Sequence, residues 1–342
     1  MAAYNAEAFI AEAIGSAMRQ SFGNWELIVV DDASTDRTGE IVASLADSDP
    51  RIRYVRLPEN TGTCNFPRLR ATELARTELV SQLDADDLLP PDYLATLMQR
   101  KHDTGADIVY PQMWTFGSNP SDARRILPDP EAIDESRVYN GRELFRHTLD
   151  GWKISLSGGL VPRSIYLEAA RRSPLSPTLA HSDEYISRTM LAASGAKVAF
   201  AQARYLYRVN PESLSRAPGI SRFDILDILR ELTAFSLAEY GAGSEEHILA
   251  HAGLHDGIID CIRLLTDPLA SPATRRLARP RVAAAMKAVD RRLIKGRVGP
   301  RYHFLLGLPL PLAEAAERIA GLMGLHKGGF ASAEIAQVKN MD

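Results

Sequence analysis

The chain has 342 residues, of which 45% are hydrophobic and 24% charged, and its formal net charge is −3, which suits a globular protein of one large domain plus a smaller one. That balance is too acidic for a general nucleic-acid-binding surface, and no apolar run approaches the ~20 residues needed to span a bilayer. Cys64 and Cys261 match no metal-ligand spacing and build no disulfide framework, and no signal-peptide pattern opens the chain, so the expected compartment is the cytoplasm.

Residues 7–20 place Phe9, Ile10, Ala13, Ile14, Ala17 and Met18 on one helical face. Glu26 to Asp31 reads as a buried strand, and Ser34-Thr35-Asp36 supplies the N-cap region of a helix running to about Leu45. Arg51 to Leu57 reads as a strand, Pro58-Glu59-Asn60-Thr61-Gly62 as a turn, 66–76 as a helix and 78–83 as a strand. Pro90-Pro91-Asp92 opens another helix that Gly105 ends, ahead of a strand from Asp107 to Tyr110. This alternation predicts an α/β fold with a doubly wound, mostly parallel, Rossmann-like sheet.

Residues 112–140 are expected to be irregular, with Pro and Asp scattered through them. Trp152 and Gly158-Gly159 follow, then a helix from Ser182 to Ser194 and a last strand from Ala203 to Val209. Beyond Ser215 the pattern is helical, with Ile225, Leu226, Ile228, Leu229 and Leu232 forming a buried stripe. A boundary near Ala217-Pro218-Gly219 then divides a catalytic-type domain, 1–217, from an all-helical extension, 218–342.

Acidic residues gather where strands end. Leu83-Asp84-Ala85-Asp86-Asp87 closes one apolar run, and Asp31-Asp32-Ala33-Ser34 closes another. In open α/β sheets ligands bind at the crevice outside strand C-termini. A pair of hard carboxylate ligands there suits Mg²⁺ or Mn²⁺ shared with a phosphate.

Taken in order, Tyr4-Asn5, Val30-Asp31-Asp32-Ala33-Ser34-Thr35-Asp36, Asn60-Thr61-Gly62 and Leu83-Asp84-Ala85-Asp86-Asp87 resemble the family 2 glycosyltransferases with the GT-A fold. Ser182-Asp183-Glu184 with Arg188, and Tyr207-Arg208-Val209-Asn210, agree with that resemblance, which covers about residues 1–215. It implies an inverting, metal-dependent enzyme that moves a sugar from a nucleotide-diphosphate sugar, a UDP-sugar favoured, to an acceptor hydroxyl. The setting it implies is polysaccharide or glycolipid synthesis, with a carbohydrate or lipid-linked acceptor. By the same resemblance Asp32 and Tyr4 line the base pocket beside Asp31, Asp84 lies near the ribose, and Asp86 holds the divalent cation. Arg68 belongs to the donor pocket, although the family's following Asn is Leu69 here. Asp183 is the implied general base, with Glu184 its rival and Arg188 a structural partner of these acids. His181 reads as a bystander, and Tyr207-Arg208 would close over the nucleotide.

Relatives begin with an apolar strand before the Tyr-Asn pair, whereas this chain begins Met1-Ala2-Ala3-Tyr4. The first strand therefore reads as missing, with the natural start upstream. The alternative function is a non-catalytic remnant that binds nucleotide sugar. A phosphotransferase with an aspartyl nucleophile ranks last, for want of a well-placed lysine. Finally, 275–301 carries ten Lys or Arg against Asp290 alone, beside the apolar stripe of Val282, Met286, Val289 and Leu293. Peripheral contact with an anionic membrane through 275–325 is one expectation, and a helical subdomain with a solvated basic face is the other.

Overall fold

The computed structural model describes residues 1–149, 154, 157–177, 179, 182–209, 220–268 and 270–322. Trp152, His181, Asn210 and the 217–219 boundary lie outside the described residues. The chain divides into two compact units, Met1–Phe145 with Lys153–Pro211, and Arg146–Trp152 with Glu212–Asp342.

The chain opens with β1 (Ala2–Ala3), α1 (Ile10–Met18), β2 (Leu27–Asp31), α2 (Thr38–Ser48), β3 (Ile52–Arg56) and α3 (Asn65–Leu74). There follow β4 (Leu79–Val80), α4 (Tyr93–Thr104), β5 (Ile108–Phe116), β6 (Arg124–Leu127), β7 (Val138–Asn140) and α5 (Gly141–Leu149). Then come β8 (Val161–Pro162), α6 (Arg163–Arg172), α7 (Ser182–Ser194) and β9 (Lys197–Arg208). Strands β1, β2 and β3 pair in parallel, with Ala2 opposite Val30 and Ala3 opposite Asp31. A four-stranded sheet runs β6-β5-β9-β7, its central pair parallel and its outer pairs antiparallel. The fold is thus mixed α/β with parallel pairing at its heart and a helical C-terminal region.

Local chemistry accounts for these elements. Every residue of β2 is buried, so its sequence is a continuous apolar run rather than an alternation. Ile10, Ala13 and Ile14 of α1 pack with Val29, Leu97 and Tyr205 into the main core. Helix α2 starts where the Asp36 carboxylate accepts the Thr38 N–H at 2.9 Å. Helix α4 stops at Gly105, whose φ of 61° places it in the left-handed region that only glycine enters freely.

Four expectations need correction. The last strand, β9, begins at Lys197 rather than Ala203. Strand β5 does not end at Tyr110 but runs through Pro111 to Phe116. A register shift against β9 between Tyr110 and Gln112 absorbs the residue that lacks an N–H. Residues 112–140 accordingly hold the end of β5 together with β6 and β7, and are irregular only between these strands. The run 78–83 forms a ladder only at Leu79–Val80, because its antiparallel partner is the two-residue β8.

In the second unit the helices are α8 (Ile225–Tyr240), α9 (Glu245–Thr266), α10 (Pro272–Ala288), α11 (Pro300–Leu305) and α12 (Leu310–Leu322). Helices α8, α10 and α12 all pack on α9. Ser244 and Ser271 cap α9 and α10 by accepting the N–H groups of His247 and Thr274. Val282 and Val289 are buried with Ala278 and Ala285, so the apolar stripe of α10 faces inward. Several basic side chains are committed within the unit, with Arg279 paired to Glu314 and Arg281 to Asp224 and Asp227.

Gly158 offers a direct check of packing in the first unit. Its carbonyl accepts the Tyr93 hydroxyl at 2.6 Å and the Ser81 hydroxyl at 2.8 Å. Its φ is 71°, and a Cβ there would lie 2.4 Å from both the Tyr205 ring and the Tyr93 hydroxyl. Gly158→Ala is expected to lower stability by about 2–4 kcal/mol, combining overpacking with backbone strain. Gly195→Ala, at φ 58° in open space, should cost only about 1 kcal/mol. Urea denaturation of the two variants checks this, and equal losses would contradict it.

Candidate functional site

The ends of β1 and β2 carry the two non-glycine residues with positive φ among the described residues, Asn5 at 46° and Ala33 at 58°. Such strain persists where surrounding contacts enforce it. Here the Asn5 side-chain carbonyl accepts the Thr35 N–H at 2.8 Å, and the Ser34 hydroxyl accepts the Asn5 N–H at 3.0 Å. Tyr4, beside them, is 48% exposed.

Asp31 and Asp32 are both buried, and the protein takes up both carboxylates. Asp31 accepts the Ser34 N–H on one oxygen and the Tyr54 hydroxyl and Arg56 guanidinium on the other, each at 2.8 Å. It thereby ties the turn after β2 to β3. Asp32 accepts the N–H and the hydroxyl of Thr61 at 3.0 Å, while its carbonyl accepts from the Asn60 side chain. The Asn60-Thr61-Gly62 turn, with Gly62 at φ 81°, is therefore held over the end of β2. Thr63 and Asn65 fasten the start of α3 to the carbonyls of Pro177 and Leu179.

Arg68, on α3, joins the other acids. Its two terminal nitrogens donate to Asp183 at 2.7 Å and to both oxygens of Asp84 at 2.7 and 2.9 Å. Asp183 sits in the first turn of α7, where the helix dipole favours an acid. Its neighbour Glu184 is engaged separately by Arg188 at 3.2 Å. Of the two candidate bases, Asp183 is the one brought to Asp84. Cys64 is near this cluster, and burial pushes its thiol up to about 11. The Tyr166 hydroxyl is pushed up to about 12, also by burial. The sequence reading missed both, since neither belongs to a recognisable pattern.

The acids after β4 lie in a turn rather than on a strand. Asp84 faces Arg68, whereas Asp87 is fully buried and accepts the Arg208 N–H at 2.8 Å. Burial and the charges of Asp84 and Asp86 push the Asp87 carboxyl well above the usual range. Burial and Asp84 likewise raise the Asp86 carboxyl. Among the described residues the Asp86 carboxylate is engaged by its own backbone N–H and by no other residue's hydrogen-bond donor, which fits a ligand for a cation. No group of three or more His, Cys, Asp or Glu suited to a metal occurs among the described residues. A cation here would take one or two carboxylates, with phosphate and water completing its shell, as Mg²⁺ prefers.

A cavity of about 520 Å³ opens beside Arg68, walled by Ile28, Leu79, Val80 and Leu83. Its walls are largely apolar, and none of the candidate acids lines it.

Comparison with known proteins matches residues 1–158 to the family model Glycosyl transferase family 2. The chain is 26% identical over 159 residues to Glycosyltransferase GlyG of Streptococcus pneumoniae, covering 46% of this chain and 52% of that one. It thus spans about half the length of that relative. Among solved structures, S. aureus TarS 1–349 in complex with UDP-GlcNAc superposes with a TM-score of 0.72 at 16% identity, over 96% of this chain and 91% of TarS 1–349. Mannosyltransferase PcManGT from Pyrobaculum calidifontis, in complex with GDP-Man and Mn²⁺, gives 0.50 at 20% identity, covering 99% and 85%.

Arg68 separates two carboxylates that would otherwise face each other partly buried. Arg68→Ala is expected to destabilise the chain by about 1–3 kcal/mol, less than for a fully buried pair because both acids are partly solvated. Denaturant midpoints measure this, and an unchanged midpoint would show that the bridge is dispensable.

Proposed function

From the match of residues 1–158 to the Glycosyl transferase family 2 model, we propose that the chain transfers a sugar from a nucleotide-diphosphate sugar to an acceptor hydroxyl with inversion at the anomeric carbon. The observation that carries this reading is Arg68 bridging Asp84 and Asp183 beside the uncommitted carboxylate of Asp86. In the reaction the acceptor oxygen bonds to the anomeric carbon and its proton passes to Asp183. The bond from that carbon to the diphosphate breaks, and the nucleoside diphosphate leaves with the electron pair. Arg68 donates to Asp183 through Oδ2, which leaves Oδ1 to take the proton. Such a base contributes typically ~10²–10⁴-fold. Asp86 would hold Mg²⁺ or Mn²⁺, whose charge offsets that of the departing diphosphate, while Asp84, engaged by Arg68, would lie near the ribose. Tyr4 is exposed where a base could stack, and Asp32 with the Asn60-Thr61-Gly62 turn shapes the floor of that pocket. Asp31 acts from beneath, by holding the turn that carries Asp32. UDP is the favoured nucleotide, supported by the UDP-GlcNAc bound to TarS; PcManGT binds GDP-Man with Mn²⁺.

Two substitutions separate the roles. Asp86→Ala should abolish transfer and the metal-dependent part of donor binding, since the diphosphate loses its counter-ion. Asp183→Asn should keep donor affinity while turnover falls by about 10²–10⁴. Release of free nucleotide from UDP-, GDP-, dTDP- and CMP-sugars, with Mn²⁺ or EDTA, provides the assay. Full activity of Asp86→Ala would overturn the metal assignment, and a crippled Glu184→Gln beside a mild Asp183→Asn would move the base to Glu184.

No helix among the described residues is long and apolar enough to cross a membrane. Peripheral contact through 275–325 remains part of this proposal, through residues other than the buried stripe. Leu277, Phe304, Leu312 and Ile319 are each more than half exposed within that basic segment. They would insert at an anionic surface and bring the enzyme to a lipid-linked acceptor. Vesicle flotation should show binding to anionic vesicles that salt weakens; binding to neither anionic nor neutral vesicles would end this part.

A further inference from the structure

Arg208 closes β9, and its guanidinium turns inward rather than over the nucleotide pocket. It is 8% exposed, and its guanidinium carbon lies 4.6 Å from the Phe116 ring centroid and 5.1 Å from that of Phe9. Its Nε donates to the Asp86 carbonyl at 2.8 Å, its backbone N–H to the Asp87 carboxylate at 2.8 Å, and its Nη2 to Glu12 on α1 at 2.6 Å. The rest of the acidic turn is fastened to the same strand. The Asp84 N–H donates to the Tyr205 hydroxyl at 3.1 Å, and Leu88 and Leu206 exchange both backbone hydrogen bonds at 3.0 Å. Each residue from Asp84 to Leu88 except Ala85 is therefore tied to the last four residues of β9. The tie to Asp86 runs through its carbonyl, which fixes its backbone and leaves its carboxylate outside the hydrogen bonds to β9.

We propose that Arg208, braced by Glu12, is the positioning residue for the cation-holding carboxylate of Asp86. The proposal rests on the glycosyl-transfer reading above, and it concerns the chain's own grip on the ligand rather than the reaction. Only a planar fork serves three directions at once, toward the Asp86 carbonyl, Glu12 and the flanking rings. A lysine would keep the charge but offer one point of attachment. Partners that orient a metal ligand without touching the metal commonly change affinity by about 10–100-fold when removed.

The test measures Mn²⁺ affinity in the presence of UDP by electron paramagnetic resonance, and UDP affinity by calorimetry with Mn²⁺ or EDTA, for the full chain. Arg208→Lys should weaken Mn²⁺ about tenfold or more, and Glu12→Gln about threefold, with UDP affinity in EDTA unchanged. At saturating Mn²⁺, turnover should return to near the unsubstituted level, so the loss resides in the metal's apparent KM. If Arg208→Lys fails to fold by circular dichroism, Glu12→Gln, half exposed and outside the core, decides alone. A lowered melting temperature with Mn²⁺ affinity unchanged would make Arg208 merely structural and overturn the proposal. If Mn²⁺ does not strengthen UDP binding to the unsubstituted chain, the metal reading of the site fails instead.

Discussion

Three carboxylates within four residues, Asp84, Asp86 and Asp87, impose the constraint around which the site is built. Two like charges about 5 Å apart near a protein surface repel by about 3 kcal/mol, and partial burial adds a desolvation cost. The chain meets this by giving each acid a different fate. Asp84 is neutralised by Arg68. Asp87 goes into the core, where burial raises its pKa and the Arg208 N–H satisfies one oxygen. Asp86 keeps its carboxylate uncommitted and its pKa raised, a state that a divalent cation would relieve.

This arrangement depends on elements distant in sequence. The turn after β4 is short of ladder partners of its own, since β4 pairs over two residues only. Its position comes instead from β9, through Tyr205, Leu206 and Arg208. Strand β9 is in turn fixed by its long parallel pairing with β5. Arg68 arrives from α3, whose start is pinned to Pro177 and Leu179 ahead of α7, and it meets Asp183 in the first turn of that helix. Rigid packing thus reaches the acids from three sides.

Much of this was legible in the sequence because local patterns coincide with global ones. The apolar run of β2, the glycine stop of α4 and the span of α7 all follow from composition and capping alone. Arg68, Asp84 and Asp183 could be named from the motif order, and the structure brings these three together. What escaped were features set by tertiary partners. Pro111 signals a strand end, yet a register shift lets β5 continue. Leu79 to Leu83 has the composition of a strand, but most of it finds no ladder. The apolar and basic faces of α10 resemble a membrane-binding helix until Val282 and Val289 are seen buried, with Arg279 and Arg281 paired. Glu12 and Arg208 stand 196 positions apart, and no periodicity connects them.

The central claim is that Asp86 presents its carboxylate to a cation shared with a nucleoside diphosphate. A crystal structure with UDP and Mn²⁺, with the metal located by its anomalous scattering, tests it most directly. The account predicts one anomalous peak about 2.0–2.3 Å from an Asp86 oxygen and from diphosphate oxygens, with the nucleotide between Tyr4 and the Asn60-Thr61-Gly62 turn. A nucleotide bound there with no metal at Asp86, or a metal held elsewhere in the chain, would contradict it.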